Sequence, residues 1–140
     1  MDAYKRIELL IGTYLSRNYR NAVEIGAGKN FAVAHLLKTS GIGVRCTDIK
    51  PVTGEPGIPM FIDDIFAPHR SLYAGADLLY AVRPAIEMIP PMMRLAQELN
   101  CDLLVYHLGF EVYGDGGEVI DCGVILHRYH ARENPSKRDD

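Results

Sequence analysis

The segment from Asn21 to Asp48 leaves this chain few folds to choose from. Ala22-Val23-Glu24-Ile25 reads as a short strand and runs straight into Gly26-Ala27-Gly28-Lys29-Asn30. A helical pattern follows, with Phe31, Val33, Ala34 and Leu37 on its apolar side. A second strand, Val44-Arg45-Cys46-Thr47-Asp48, then ends on an acid. Glycines without Cβ let a ligand come close to the backbone. The helix N-terminus presents free N–H groups. A carboxylate about 20 residues beyond the glycines can accept hydrogen bonds from a ribose diol. The pattern therefore suits an adenosine-containing ligand.

The rest of the chain continues the alternation of helix and strand. Residues 2–18 place Tyr4, Ile7, Leu10, Ile11, Tyr14 and Leu15 at helical spacing, with Lys5, Arg6, Glu8 and Arg17 elsewhere on the helix and Asp2 as its N-cap. Lys50 to Gly57 holds two prolines and two glycines and excludes a helix. Ile58-Pro59-Met60-Phe61-Ile62 reads as a strand capped by Asp63-Asp64, its proline pointing to a sheet edge. The connection before it is shorter than the dozen or more residues usual for a parallel crossover, so its direction stays open. Pro68 to Gly75 has room for two helical turns at most.

Leu78-Leu79-Tyr80-Ala81-Val82 is almost wholly apolar, as expected of an inner parallel strand, and Arg83-Pro84 ends it. Pro90 or Pro91 suits the first turn of a helix whose core side is Met92, Met93, Ala96 and Leu99. Leu103 to Tyr106 makes a fifth strand. Within Phe110 to Tyr129, Gly114-Asp115-Gly116-Gly117 predicts a turn between two strands of an antiparallel pair. The expected fold is α/β: a Rossmann-like three-layer sandwich with a mainly parallel sheet, order 3-2-1-4-5, and a C-terminal antiparallel pair. One domain over residues 1–132 and a flexible tail over 133–140 complete the reading. Ligands of such sheets bind at the carboxyl ends of the strands, where Glu24, Gly26, Asp48, Asp63, Arg83 and His107 fall.

Composition narrows the function classes. A chain of 140 residues with 48% apolar content can bury one core. A net charge of -3 gives no reason to expect nucleic acid as a partner. Cys46, Cys101 and Cys122 lack metal-ligand spacing and read as reduced thiols of a cytoplasmic protein. No membrane span or signal segment is expected. No metal is expected either, because His127 and His130 face opposite sides of a strand; His35 and His69 read as helix-surface residues. Met88, Met92 and Met93 read as core filler. Arg83, at the end of the central strand, could hold a substrate carboxylate or phosphate, or pair with Glu87 or Glu111.

Val23-Glu24-Ile25-Gly26-Ala27-Gly28, followed by Thr47-Asp48-Ile49, resembles the first two motifs of class I S-adenosylmethionine-dependent methyltransferases. That resemblance implies that Glu24 orients the glycine loop and approaches the methionine part, and that Gly26, Ala27 and Gly28 pass close to the cofactor. It implies ribose recognition by Asp48, packing of Ile49 on the adenine, and Asp63 or Asp64 near its exocyclic amine. The chain is also similar to a family of small uncharacterised archaeal proteins of this fold. Two departures stand out: Asn30 replaces the third glycine, and Ala81-Val82-Arg83-Pro84 is not the Asn/Asp-Pro-Pro-Tyr of amino-methylating enzymes. A second reading is a non-catalytic regulatory module for NAD or another adenine nucleotide, and a third is a protein that has kept no cofactor. Asp63-Asp64, Gly75-Ala76-Asp77-Leu78 and the later helix resemble the regulatory nucleotide-binding modules of potassium transport proteins. Phe31, where a dinucleotide motif has its third glycine, counts against NAD, as does the repulsion of a pyrophosphate by Glu24.

Overall fold

A computed structural model describes residues 3–133. Asp2, expected as an N-cap, and the tail after Glu133 lie outside the described residues. The elements are α1 (Ala3–Asn18), β1 (Asn21–Ile25), α2 (Ala32–Thr39), β2 (Gly43–Asp48), β3 (Met60–Ile62), β4 (Leu78–Val82), α3 (Ile89–Leu99), β5 (Asp102–Tyr106), β6 (Glu118–Asp121) and β7 (Ile125–His130). They form one sheet of order β3-β2-β1-β4-β5-β7-β6. The first five strands are parallel, and β7 runs antiparallel to both β5 and β6. This is the expected order with the expected edge pair.

The inner strands explain the layering. Neighbours on a strand point to opposite faces, and β4 is apolar on both. Leu79 and Ala81 join Val23, Leu103 and Val105 under Ile89, Met92, Leu95 and Ala96 of α3. Leu78 and Tyr80 join Ala22 and Leu104 under Ile11 and Leu15 of α1 and Val33 and Leu37 of α2. Helix α3 begins at Ile89 with Pro90 and Pro91 in its first turn. That start puts Leu95 in the core, while Met93 and Leu99, expected there, pack half-buried at its margin.

One local reading is corrected and two open ones are settled. The third strand is parallel to β2 despite its short connection. Only Cys46–Asp48 pair with Met60–Ile62, so the connecting chain travels back about 10 Å, at about 3.3 Å per residue. The edge hairpin turns at Cys122–Val124, not at Gly114–Gly117, which belongs to the loop after β5. There the Asp121 carboxylate accepts the Gly123 N–H at 2.9 Å, and Gly123 takes a φ of 103°. Three glycines within four residues, Gly114–Gly117, outweighed this single Asp-x-Gly turn in the sequence pattern. Pro68–Gly75 holds a single 3-10 turn, Arg70–Tyr73, within the two turns expected at most. Among the described residues no helix is long and apolar enough to cross a membrane.

Candidate functional site

The carboxyl ends of β1 to β4 enclose a cleft of about 290 Å³ at the point where the strand order reverses. Gly26, Asp48, Ile49, Asp63, Arg83 and Met88 are in its wall. The glycine loop owes its shape to β2. Gly26 and Ala27 donate their N–H groups to the Thr47 carbonyl at 2.9 and 3.2 Å. Gly28 donates to Asp48 Oδ2 at 2.8 Å, and Lys50 donates to Asp48 Oδ1 at 3.0 Å. Gly26 needs its glycine: its φ is 71°, and a Cβ would stand 3.3 Å from Met88 Cε. An adjoining hollow of about 680 Å³ continues along Gly28, Lys29, Phe31, Asp48, Ile49 and Pro51. Two apolar side chains stay uncovered at the cleft, Ile49 at 62% and Phe66 at 57% exposure.

Of the residues singled out in the sequence, Gly26, Asp48, Ile49, Asp63 and Arg83 meet in this one cleft, and Gly28 joins them through the hollow. Ala27 is buried behind the loop with Phe31, Ala34 and Cys46. Glu24 does not line the cleft. It is buried on the α1 side of the sheet and accepts the Tyr80 hydroxyl at 2.7 Å. Burial raises its pKa from 4.5 to about 8, against the Tyr80 hydrogen bond and reinforced by the nearby charge of Glu8. Asp63 lines the cleft with its backbone but turns its carboxylate inward. Burial penalises that charge, yet the Tyr73 hydroxyl at 2.6 Å and the His69 ring and N–H outweigh it and lower the pKa. His69, read as a surface residue, keeps its ring exposed but anchors that acid at 2.8 Å.

Arg83 sits at a φ of 55°, a region an L-residue enters at a cost of about 1–2 kcal/mol. Contacts to Tyr106 and Glu8 hold it there. Its N–H donates to the Tyr106 carbonyl at 2.6 Å, its guanidinium lies 5.1 Å from the Tyr106 ring centre, and its Nη1 pairs with Glu8 Oε1 at 3.0 Å. Glu8 Oε2 accepts from Asn30 Nδ2 at 3.3 Å, and Asn30 Oδ1 accepts the Ala32 N–H at the start of α2. Glu8 thus ties α1 to the glycine loop and to the end of β4, although the sequence reading placed it away from the apolar side. The signal was available: Glu8, Ile11 and Leu15 share one stripe of α1 at helical spacing, so the acid lies on the buried face. Asn30 is not left-handed, so the missing third glycine is no backbone defect. Among the described residues no group of three His, Cys, Asp or Glu could hold a metal.

Residues 9–115 match the uncharacterised protein family UPF0146, and the chain belongs to that family. A UPF0146 protein of Archaeoglobus fulgidus is 34% identical over 108 residues, 76% of this chain and 80% of that protein. One of Pyrococcus horikoshii is 35% identical over 112 residues, 76% of this chain and 86% of that protein. Among solved structures, a putative methyltransferase of Escherichia coli matches 91% of this chain and 84% of its own at 11% identity and a TM-score of 0.55. The PH0226 protein of Pyrococcus horikoshii matches 76% of this chain at 16% identity and a TM-score of 0.54. A sugar N-methyltransferase of Streptoalloteichus matches 84% at 13% identity and a TM-score of 0.52. The chain spans 55% and 54% of the last two proteins. These likenesses show a Rossmann-like fold of the methyltransferase type.

Proposed function

We propose that the cleft binds S-adenosylmethionine or a close adenosine-containing relative, and that the chain passes the methyl group to a small molecule. The observation that carries this reading is the junction of Gly26, Asp48 and the uncovered Ile49 at the strand reversal. A carboxylate has about four acceptor positions. The Gly28 and Lys50 N–H groups occupy two on Asp48, which leaves positions for both ribose hydroxyls. Ile49 and Phe66 offer apolar faces to an adenine. Asp63, committed to Tyr73 and His69, serves by fixing the backbone from Asp63 to Phe66 rather than by direct contact. Arg83, pinned by Glu8, closes the side of the cleft towards β5, where the methyl acceptor would lie. Methyl transfer asks mainly for in-line placement of a nucleophile at the sulfonium. Free cysteines at positions 46, 101 and 122 accord with a cytoplasmic setting.

Calorimetric and thermal-shift titration tests the reading directly. S-adenosylhomocysteine at about 100 times its dissociation constant stabilises by roughly 2.7 kcal/mol. A clear shift with NAD and none with S-adenosylhomocysteine would overturn it. One observation keeps NAD as the second reading: Glu24 is buried and holds its proton up to about pH 8, so it does not repel a pyrophosphate at neutral pH.

A further inference from the structure

A second cavity, of about 410 Å³, opens at the carboxyl end of β5. Tyr106, His107, Phe110, Val112, Ile125 and His127 are in its wall. It adjoins the cleft: the Arg83 guanidinium faces the Tyr106 ring, and the two residues line the two spaces. His107 and His127 stand edge to face with ring centres 5.1 Å apart, and Tyr129 packs on both.

Proton counting assigns these rings. His127 Nδ1 lies 2.7 Å from the Gly116 carbonyl, which only accepts, so His127 carries a proton there. Tyr129 Oη accepts the Tyr113 N–H at 2.9 Å and lies 2.5 Å from His107 Nε2. Donation of the phenol proton to Nε2 satisfies both groups. Burial and the neighbouring His127 lower the His107 pKa, so the ring is neutral and its own proton sits on Nδ1. That atom is buried and has no hydrogen-bond partner among the described residues. Buried donors in folded proteins are almost always paired, and a ligand acceptor would complete this one. In the same cavity wall as His107, Phe110 is fully exposed and Val112 and Ile125 are exposed, a cluster of apolar surface that marks a binding area. Glu111, also in the wall, repels anions.

We propose that this cavity is a ligand site for an uncharged aromatic or heteroaromatic molecule whose carbonyl oxygen or ring nitrogen accepts the His107 Nδ1–H. Its place beside the cleft makes that molecule the methyl acceptor, an assignment that rests on the cofactor reading above.

Nitrogen-15 NMR of the full chain, titrated with benzamide, tests the site. The His107 ring and the Phe110 and Val112 amides should shift and saturate, while benzoate, the anionic counterpart, binds at least about tenfold more weakly, because its charge gives up water to an apolar wall and faces Glu111. His107→Phe should weaken benzamide by about tenfold. Phe110→Ser, at a fully exposed position that leaves the fold intact, should weaken it severalfold. Absence of saturable shifts up to about 10 mM, a range that reveals even millimolar affinity, would overturn the proposal. So would equal binding of benzoate, or unchanged affinity in both variants. S-adenosylhomocysteine, titrated in parallel, reports through the Gly26 and Gly28 amides. Benzamide binding without it keeps the cavity as a site and removes the cofactor reading; its binding without benzamide does the reverse.

Discussion

At the rim of the cleft, Asp48 ends β2 half-exposed and gives its oxygens to two backbone N–H groups. One strand away, on the floor that the sheet forms under α1 and outside the cleft, Glu24 is buried against Tyr80, with Glu8 and Arg83 paired close by. Both Asp48 and Glu24 are acids of the same motif, yet their physics differs. The rim acid meets donors and solvent together and keeps acceptor positions open. The floor acid has lost its water and gained one hydroxyl, so it holds its proton up to about pH 8. Motif position therefore does not decide whether a carboxyl stays accessible at the cleft; the packing around it does.

The largest effect that could break this contrast is a pH dependence of stability. Below pH 4.5 Glu24 is protonated in both the folded and the unfolded chain. Between 4.5 and about 8 the unfolded chain releases the proton and the fold keeps it, so stability falls as pH rises; above 8 the slope ends. At about 1.4 kcal/mol per pH unit over that interval, the penalty reaches about 5 kcal/mol. Glu24→Gln should remove it, so urea melts of the variant should gain on the wild type steadily from pH 5 to 8. Parallel pH profiles would place Glu24 in solvent.

A second test concerns the other acid of the floor. Glu8→Ala leaves the Arg83 guanidinium without its ion-pair partner Glu8 and takes a hydrogen bond from Asn30. Breaking a buried pair typically destabilises by about 3–5 kcal/mol. About 3 kcal/mol is expected here, since 15% of the Arg83 side chain reaches solvent and its stacking on Tyr106 remains. A change within ±0.5 kcal/mol in denaturant melts would mean that the pair behaves as a surface bridge.

At the rim the expected loss lies in binding. Asp48→Ala should weaken S-adenosylhomocysteine by about tenfold to a few hundredfold, the worth of one or two charge-assisted hydrogen bonds. Stability should fall by only about 1 kcal/mol, because the Gly28 and Lys50 N–H groups can turn to water. Unchanged affinity in calorimetry would confine Asp48 to loop shaping. Smallest is Asn30→Ala, which removes the acceptor for the Ala32 N–H and should lower the melting stability by about 1 kcal/mol. No loss there would show that Asn30 serves neither α2 nor Glu8.

The strand order and the cleft were legible because they follow from period and punctuation. Inner strands such as Leu78–Val82 are almost wholly apolar, and glycines break the chain where the cleft lies. The clustering of Gly26, Asp48, Ile49, Asp63 and Arg83 follows from strand ends alone, since parallel strands bring their carboxyl ends to one edge. Tertiary structure decided which of these groups carry charge towards the cleft. Glu24 lost its water to α1, Asp63 turned to Tyr73 and His69, and Arg83 found Glu8 at 75 residues' separation. It also decided where the edge hairpin turns and that His107, His127 and Tyr129 meet at all. Hydrophobic period is a local property that each segment carries by itself. Burial of a polar group and its pairing depend on what distant segments bring to it, and only the folded chain supplies those neighbours.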